Sequence, residues 1–449
     1  MSQILRGRRV SDVVEFLYAT TALFLLTQGP VYTLWKPSAD YLQFLPDPPI
    51  SSAYFATFAL AQLPGMLLLA RRLPTDLVRL LPFRLLALLL TWLGITSALS
   101  TFARHSLPEF LALVLTTCFG LYLAVTFSVR AVLWQLVIAM GAGSWLSYLA
   151  VMRLWEGARN LDEGYWIGIY FNRNSLAPVA ALGLLSTALL IFNLRLRART
   201  DVLSYMFSGV GFVFSGVVLY QSESATSVAA LVITAVVMVV WLGLSRFLNA
   251  NSNRALRGRI LAATVVGSAL TIGLTLTYIV KTSSVFGRVE TFSARAPIWS
   301  LNWSGFLERP WLGWGWQAAW HVPQFRKQGA WWVVSPENTW AHSGYFDLLL
   351  GGGVLASLLF AGWVVVSCLH LEQPAIRVPA GTLEQCAPVA LSIFVLAAAT
   401  QESFFIGSHF LWALLVWGLT TAAVGSGVSS TAESQPTFAE TAAPASSPH

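Results

Sequence analysis

Apolar residues in this chain run in stretches of about twenty, separated by short polar connections, and the pattern recurs along most of its length. A hydrocarbon core about 30 Å thick takes about twenty helical residues to cross, so each stretch predicts a membrane-spanning helix. Twelve such spans begin near Asp12, Ala53, Asp76, Pro108, Arg130, Ser175, Asp201, Ser227, Arg259, Tyr345, Ala387 and Ile406. Gly and Ser recur inside them, as helices packed in lipid tolerate. One long polar and aromatic insertion, residues 282–344, interrupts the pattern between the ninth and tenth spans. Residues 426–449 are Ser/Thr/Ala/Pro/Glu-rich without apolar periodicity, which predicts a disordered tail. The expected fold class is an all-α integral membrane protein of about twelve transmembrane helices, with a large extracytoplasmic loop containing short interfacial helices. Spans one to nine would lie in 1–281, the loop in 282–344 and spans ten to twelve in 345–425.

Composition agrees with the pattern: the 449 residues are 56% hydrophobic and only 10% charged, with a mean hydropathy of +0.65. The start from Met1 to Arg9 is basic, but the apolar run behind it is about twenty residues long and has no small-residue cleavage site, so a retained first helix is expected rather than a cleaved signal. Basic residues then orient the chain. An inward N-terminus puts sixteen of the twenty-seven Lys and Arg residues at cytoplasmic ends, among them Arg71, Arg72, Arg130, Arg195, Arg246 and Arg377. Short outer connections carry only Lys36, Arg104, Arg153, Arg159, Arg173 and Lys281, a bias that predicts both termini inside and the insertion outside. The net charge of +7 is spread over inner connections in this way, which argues against a nucleic-acid partner. Cys118, Cys368 and Cys386 show neither CxxC spacing nor a metal pattern.

Nine of the nineteen tryptophans fall in the insertion, from Trp299 to Trp340. An aromatic belt at the membrane surface explains most of them, and platforms for sugar rings or a lipid chain are the functional alternative. Ala296 to Leu307 reads as a short amphipathic helix ending at Arg309-Pro310, followed by the glycine turn Trp311-Leu312-Gly313-Trp314-Gly315-Trp316. Arg173, Arg288, Arg295 and His342 all fall at or near the outer boundary. Arginine keeps its charge and offers a planar fork that suits phosphate oxygens. Pairing with Glu290, Glu308 or Glu337 is the plainer role for these cations. An imidazole ordinarily titrates near neutrality, so a histidine such as His342 can serve as a general base, or can simply hydrogen-bond the nearby Asp347. No GxxxxGK[ST] phosphate loop, HExxH, DxD pair or GxSxG elbow is present. Any transfer reaction is therefore expected to proceed without nucleotide hydrolysis, metal or other cofactor.

Several segments together resemble one family. They are Phe286 to Trp299, containing Gly287-Arg288 and Ser293-Ala294-Arg295; Glu308-Arg309-Pro310-Trp311-Leu312-Gly313-Trp314-Gly315; and Ala341-His342-Ser343-Gly344-Tyr345-Phe346-Asp347. With Asn172-Arg173-Asn174 before the sixth span and Gln401-Glu402-Ser403 between the last two, their order is similar to that of the O-antigen ligase and exopolysaccharide polymerase superfamily. Ser343 stands where that family usually has Asn, and Asn172 where it has a basic residue or histidine.

The resemblance implies an inverting, metal-independent glycosyl transfer from a polyprenyl-diphosphate-linked glycan to a hydroxyl of a glycan or glycolipid acceptor, at the outer face of the cytoplasmic membrane. Carried over by position, Arg173 and Arg295 would hold the diphosphate with Arg288 assisting, and His342 would be the base or orient the acceptor. Asn174, Tyr345 and Glu402 are supporting candidates for substrate binding. Ligase and polymerase share these motifs and stay undivided. A transporter or flippase of lipid-linked glycans is the alternative, although it would favour charged residues within the spans, which are nearly free of them. A membrane scaffold is a third, and would leave the outward arginines unexplained.

Overall fold

The computed structural model describes residues 10–34, 52–155, 157–161, 163–196, 202–248, 267, 290–322, 340–370 and 386–424. Among them there is no strand, only an isolated bridge between Arg159 and Trp166. The helices are α1 (Val10–Leu26), α2 (Gly29–Leu34), α3 (Ser52–Arg72), α4 (Thr75–Arg79), α5 (Leu81–Ala98), α6 (Ala103–Thr126), α7 (Val129–Met152), α8 (Arg173–Leu196), α9 (Val202–Ser222), α10 (Ala225–Leu248), α11 (Glu290–Glu308), α12 (Gly344–His370), α13 (Ala387–Ala398) and α14 (Phe410–Val424). A helix therefore stands at every predicted apolar span except the ninth, of which only Gly267 is among the described residues; the tail lies outside them. Five of the described helices, α5, α6, α7, α8 and α12, are long and apolar enough to cross a membrane. Large apolar side chains such as Leu60, Leu111, Val213, Val239 and Leu358 are exposed on helix surfaces, where a lipid environment removes the penalty water would impose.

Helix ends follow local chemistry. The third span begins at Leu81 rather than near Asp76, because Pro82 sits at the start of α5 and Leu80 adopts extended backbone that separates α4 from it. The last helix begins at Phe410 rather than Ile406, which leaves residues 399–409 as a loop between α13 and α14. Both α13 and α14 are apolar on all sides and buried, as expected of helices enclosed by others. Trp412 and Trp417 of α14 are buried, and Trp412 Nε1 donates to Thr117 Oγ1 of α6 at 2.9 Å. Phe360 and Trp363 of α12 pack on the same tryptophan.

One helix is broken. α12 contains Gly353 at φ 67°, ψ −161°, a conformation open essentially to glycine alone. The break frees backbone groups that lipid cannot satisfy, and two elements take them up. From α5, Trp92 Nε1 donates to the Gly352 carbonyl at 2.8 Å and Thr96 Oγ1 to that of Gly351 at 3.1 Å. From the glycine turn, Trp314 N–H donates to Leu350 O at 2.7 Å and Gly315 N–H to Gly351 O at 3.2 Å, while Val354 N–H donates to Pro310 O at 2.8 Å. Ser100, Ser106 and Ser97 at the start of α6 and the end of α5 bind the backbone of Trp314 and Trp316. The turn that the sequence marks as a family motif is thus a backbone clamp on a broken helix.

Candidate functional site

Four segments meet at one end of the bundle: the loop between α7 and α8, the entry to α12, the 399–409 loop and the start of α10. Their meeting is fixed by backbone contacts. Gly344 N–H lies 2.9 Å from Ala399 O and 3.0 Å from Glu402 O, and a Cβ at Gly344 would lie 2.6 Å from the ring of Phe405, so only glycine allows this approach. The 399–409 loop is held from the other side by Ser408 N–H donating to Thr116 Oγ1 at 2.8 Å. Tyr170, buried where the α7–α8 loop meets the end of α1, donates to Thr27 Oγ1 at 3.2 Å. Burial pushes its phenol well above the ordinary range, with the Thr27 hydrogen bond pulling the other way, so Tyr170 is a neutral fixture of the loop.

Asn172 caps α8: its Oδ1 accepts from Ser175 N–H at 2.8 Å and from Ser175 Oγ at 3.1 Å. This accounts for asparagine at a place where the family resemblance leads one to expect a basic residue. The cap sets Arg173 and Asn174 at the first two positions of the helix, whose positive end favours anions nearby. Arg173 lies with its guanidinium carbon 4.4 Å above the Tyr165 ring, and its Nη1 is 3.7 Å from Glu163 Oε2.

Glu402 is the junction of the site. Asn174 Nδ2 donates to Glu402 Oε1 at 2.7 Å, and His342 Nδ1 lies 3.3 Å from Glu402 Oε2. Ser224 Oγ, just before α10, donates to Asn174 Oδ1 at 3.3 Å and fixes the amide the right way round. The carboxylate side chain is only 10% exposed while the imidazole is 34% exposed, so the acid is enclosed and the histidine reaches the opening. A proton on Nδ1, facing the carboxylate, leaves Nε2 as the unprotonated nitrogen. His342 itself has φ 50°, a left-handed backbone in the turn just before α12. Asn302 of α11 is buried and donates to Ala341 O at 3.1 Å, which ties α11 to the same turn.

The residues expected from sequence are partly united by this arrangement. His342, Glu402 and Asn174 form one connected set, with Arg173 adjacent to Asn174 in the chain. Arg295 lies on α11 two turns before Asn302, and Arg288 lies outside the described residues. Tyr345 turns its hydroxyl to Leu396 O at 3.0 Å and its ring onto Phe405, 5.3 Å between centroids. Asp347 faces Ser403, Gln317 and the Ala341 amide, so the hydrogen bond that sequence allowed it to take from His342 goes to Glu402 instead. Ser224 and Asn302 were not singled out in the sequence; nothing local marks either, since each acts on a group brought near by tertiary packing.

The arrangement can hold an anion beside Arg173 and take up a proton at His342 while Glu402 stabilises the resulting imidazolium. Residues 210–361, from within α9 to within α12, match the model of a family described as O-Antigen ligase. No curated protein matches the chain. The match covers His342 and the glycine turn, whereas Asn172-Arg173-Asn174 and Gln401-Glu402-Ser403 lie outside it. Over the matched segment, about a third of its length, the chain is similar to the O-antigen ligase family, and it carries apolar helices long enough to cross a membrane.

Proposed function

We propose that the protein transfers a glycan from a polyprenyl-diphosphate carrier to an acceptor hydroxyl, at the extracytoplasmic face of the cytoplasmic membrane, by a single inverting displacement that needs no metal. The observation that carries this reading is the Glu402 carboxylate, which engages His342 on one oxygen and Asn174, the neighbour of Arg173, on the other. The candidate base is thereby tied to the residue next in the chain to a candidate cation.

In the proposed step the acceptor oxygen attacks the anomeric carbon as the bond from that carbon to the diphosphate oxygen breaks. The hydroxyl proton passes to His342 Nε2, and the imidazolium is stabilised by Glu402 across Nδ1. Negative charge grows on the leaving diphosphate, which Arg173 and Arg295 would meet with charge-assisted hydrogen bonds, with Arg288 assisting. Asn174 would keep Glu402 aimed at the imidazole. Tyr345 would act by fixing the entry of α12. Twelve spans with both termini inside agree with this picture, since that topology puts residues 282–344 and the α7–α8 loop on the same outer side.

The test is transfer by the purified full chain, given a polyprenyl-diphosphate oligosaccharide and a panel of glycan and glycolipid acceptors, with product masses measured. Glycan should leave the lipid and appear on one acceptor class, which also separates ligase from polymerase. Arg173→Ala and Arg295→Ala are each expected to slow transfer about a hundredfold, the scale of losing one donor to a developing anion. Retention of full rate by both variants, or of all glycan on the lipid with every acceptor, would overturn the proposal.

A further inference from the structure

We infer that Glu163 is an internal stand-in for the donor's phosphates, neutralising Arg173 while the site is empty and yielding it when a prenyl diphosphate arrives. This rests on Arg173 being a diphosphate ligand, as proposed above.

The guanidinium is prepared but not satisfied. Its Nη1 is buried and makes no hydrogen bond with any described residue, and the 3.7 Å to Glu163 Oε2 is ion-pair range but too long for a hydrogen bond. A charged N–H withdrawn from water without an acceptor is costly unless some nearby charge offsets it. Glu163 supplies the charge, and the Tyr165 ring covers one face of the plane. The directed hydrogen-bonding capacity is left over, and a phosphate oxygen would fill it.

The two loop partners of Arg173 differ in how firmly they are fixed. Tyr165 is held in a tight turn: Asn160 N–H donates to Tyr165 O at 2.9 Å, Asn160 Nδ2 to its hydroxyl at 3.1 Å, and Arg159 and Trp166 bridge the base of the turn. Glu163 stands at the tip of that turn, its backbone N–H bound to Asn160 Oδ1 at 2.7 Å and its side chain 49% exposed. Half its side chain already faces solvent, so water can solvate the carboxylate when another anion takes its place at the guanidinium.

Two consequences follow for the reaction. A ligand must outcompete one carboxylate at the guanidinium, so a diphosphate is favoured over a singly charged phosphate ester. After transfer the leaving lipid diphosphate faces the same competitor, and the return of Glu163 promotes its release.

The test measures binding of farnesyl diphosphate and farnesyl monophosphate to the purified full chain by titration calorimetry, for wild type, Glu163→Gln, Glu163→Asp and Arg173→Ala. Glu163→Gln is expected to bind the diphosphate about two- to fivefold more tightly, the scale of removing a partly exposed ionic competitor, and to discriminate less against the monophosphate. Glu163→Asp, which keeps the charge, should stay nearer wild type. If Arg173→Ala weakens binding but Glu163→Gln leaves it unchanged or weaker, Glu163 merely positions the arginine and the inference is wrong, with the diphosphate role of Arg173 intact. If neither substitution alters binding of either probe, the diphosphate role itself fails and this inference with it.

Discussion

Converting His342 to asparagine is expected to reduce glycan transfer by about a thousandfold while leaving the protein folded in the membrane, a loss within the range for removing a positioned general base. Asparagine suits the test because it tolerates the left-handed backbone at φ 50° and its amide can still donate to Glu402. What it lacks is a nitrogen able to take up a proton. Glu402→Gln probes the same unit from the buried side and should cost about a hundredfold or more. The new amide nitrogen would donate to His342 Nδ1, force the imidazole proton onto Nε2 and so block the atom that must accept the hydroxyl proton. Initial rates of product formation decide the matter, with thermal unfolding in detergent as the control for folding. If His342→Asn turns over at close to the wild-type rate, the imidazole is structural and the base lies elsewhere.

The second large effect concerns the break in α12. Gly353→Val is expected to destabilise the protein by more than about 3 kcal/mol, enough to abolish accumulation of folded protein. The backbone conformation at that position excludes a β-branched residue, and a Cβ there would collide with the backbone of Trp311 and Pro310. Neither strain can be relieved separately, since moving the turn away exposes the carbonyls of Leu350 and Gly351. Thr96→Val is a milder probe of the same clamp: it removes one donor to Gly351 O and should cost about 1 kcal/mol, read as a lower unfolding temperature. A Gly353→Val protein with wild-type expression and melting behaviour would show that the break is not required.

Most helix positions were legible in the sequence because long apolar runs have few alternatives in a chain with so little charge. Helix ends were less so. Leu80 and Pro82 divide one apolar run into two helices, and the run from Ala387 onward gives out at Ala398 although Phe404, Phe405 and Phe410 continue its apolar character. Hydropathy cannot tell a lipid-facing residue from one enclosed by protein, so the connection around Glu402 was expected but the last span was begun near Ile406, four residues before Phe410. The site was legible as types and order: an arginine at the start of α8, a histidine before α12, an acid between the last two helices. That Glu402 joins His342 to Asn174 was not, because the three lie far apart in sequence and meet only through the docking of Gly344 on the 399–409 loop. Likewise the glycine turn read as a motif of the polar segment, and only its partners on α5 and α12 give it a mechanical role.

That clamp divides the polar segment by its tolerance for changes in length. Between Pro310 and Trp316, the backbones of Pro310, Trp314, Gly315 and Trp316 are matched with fixed counterparts on α5, α6, α12 or the connection between α5 and α6. Inserting or deleting one residue there would shift every pairing past its partner and leave carbonyls of the broken helix bare. Changes of chain length are therefore excluded within these seven positions.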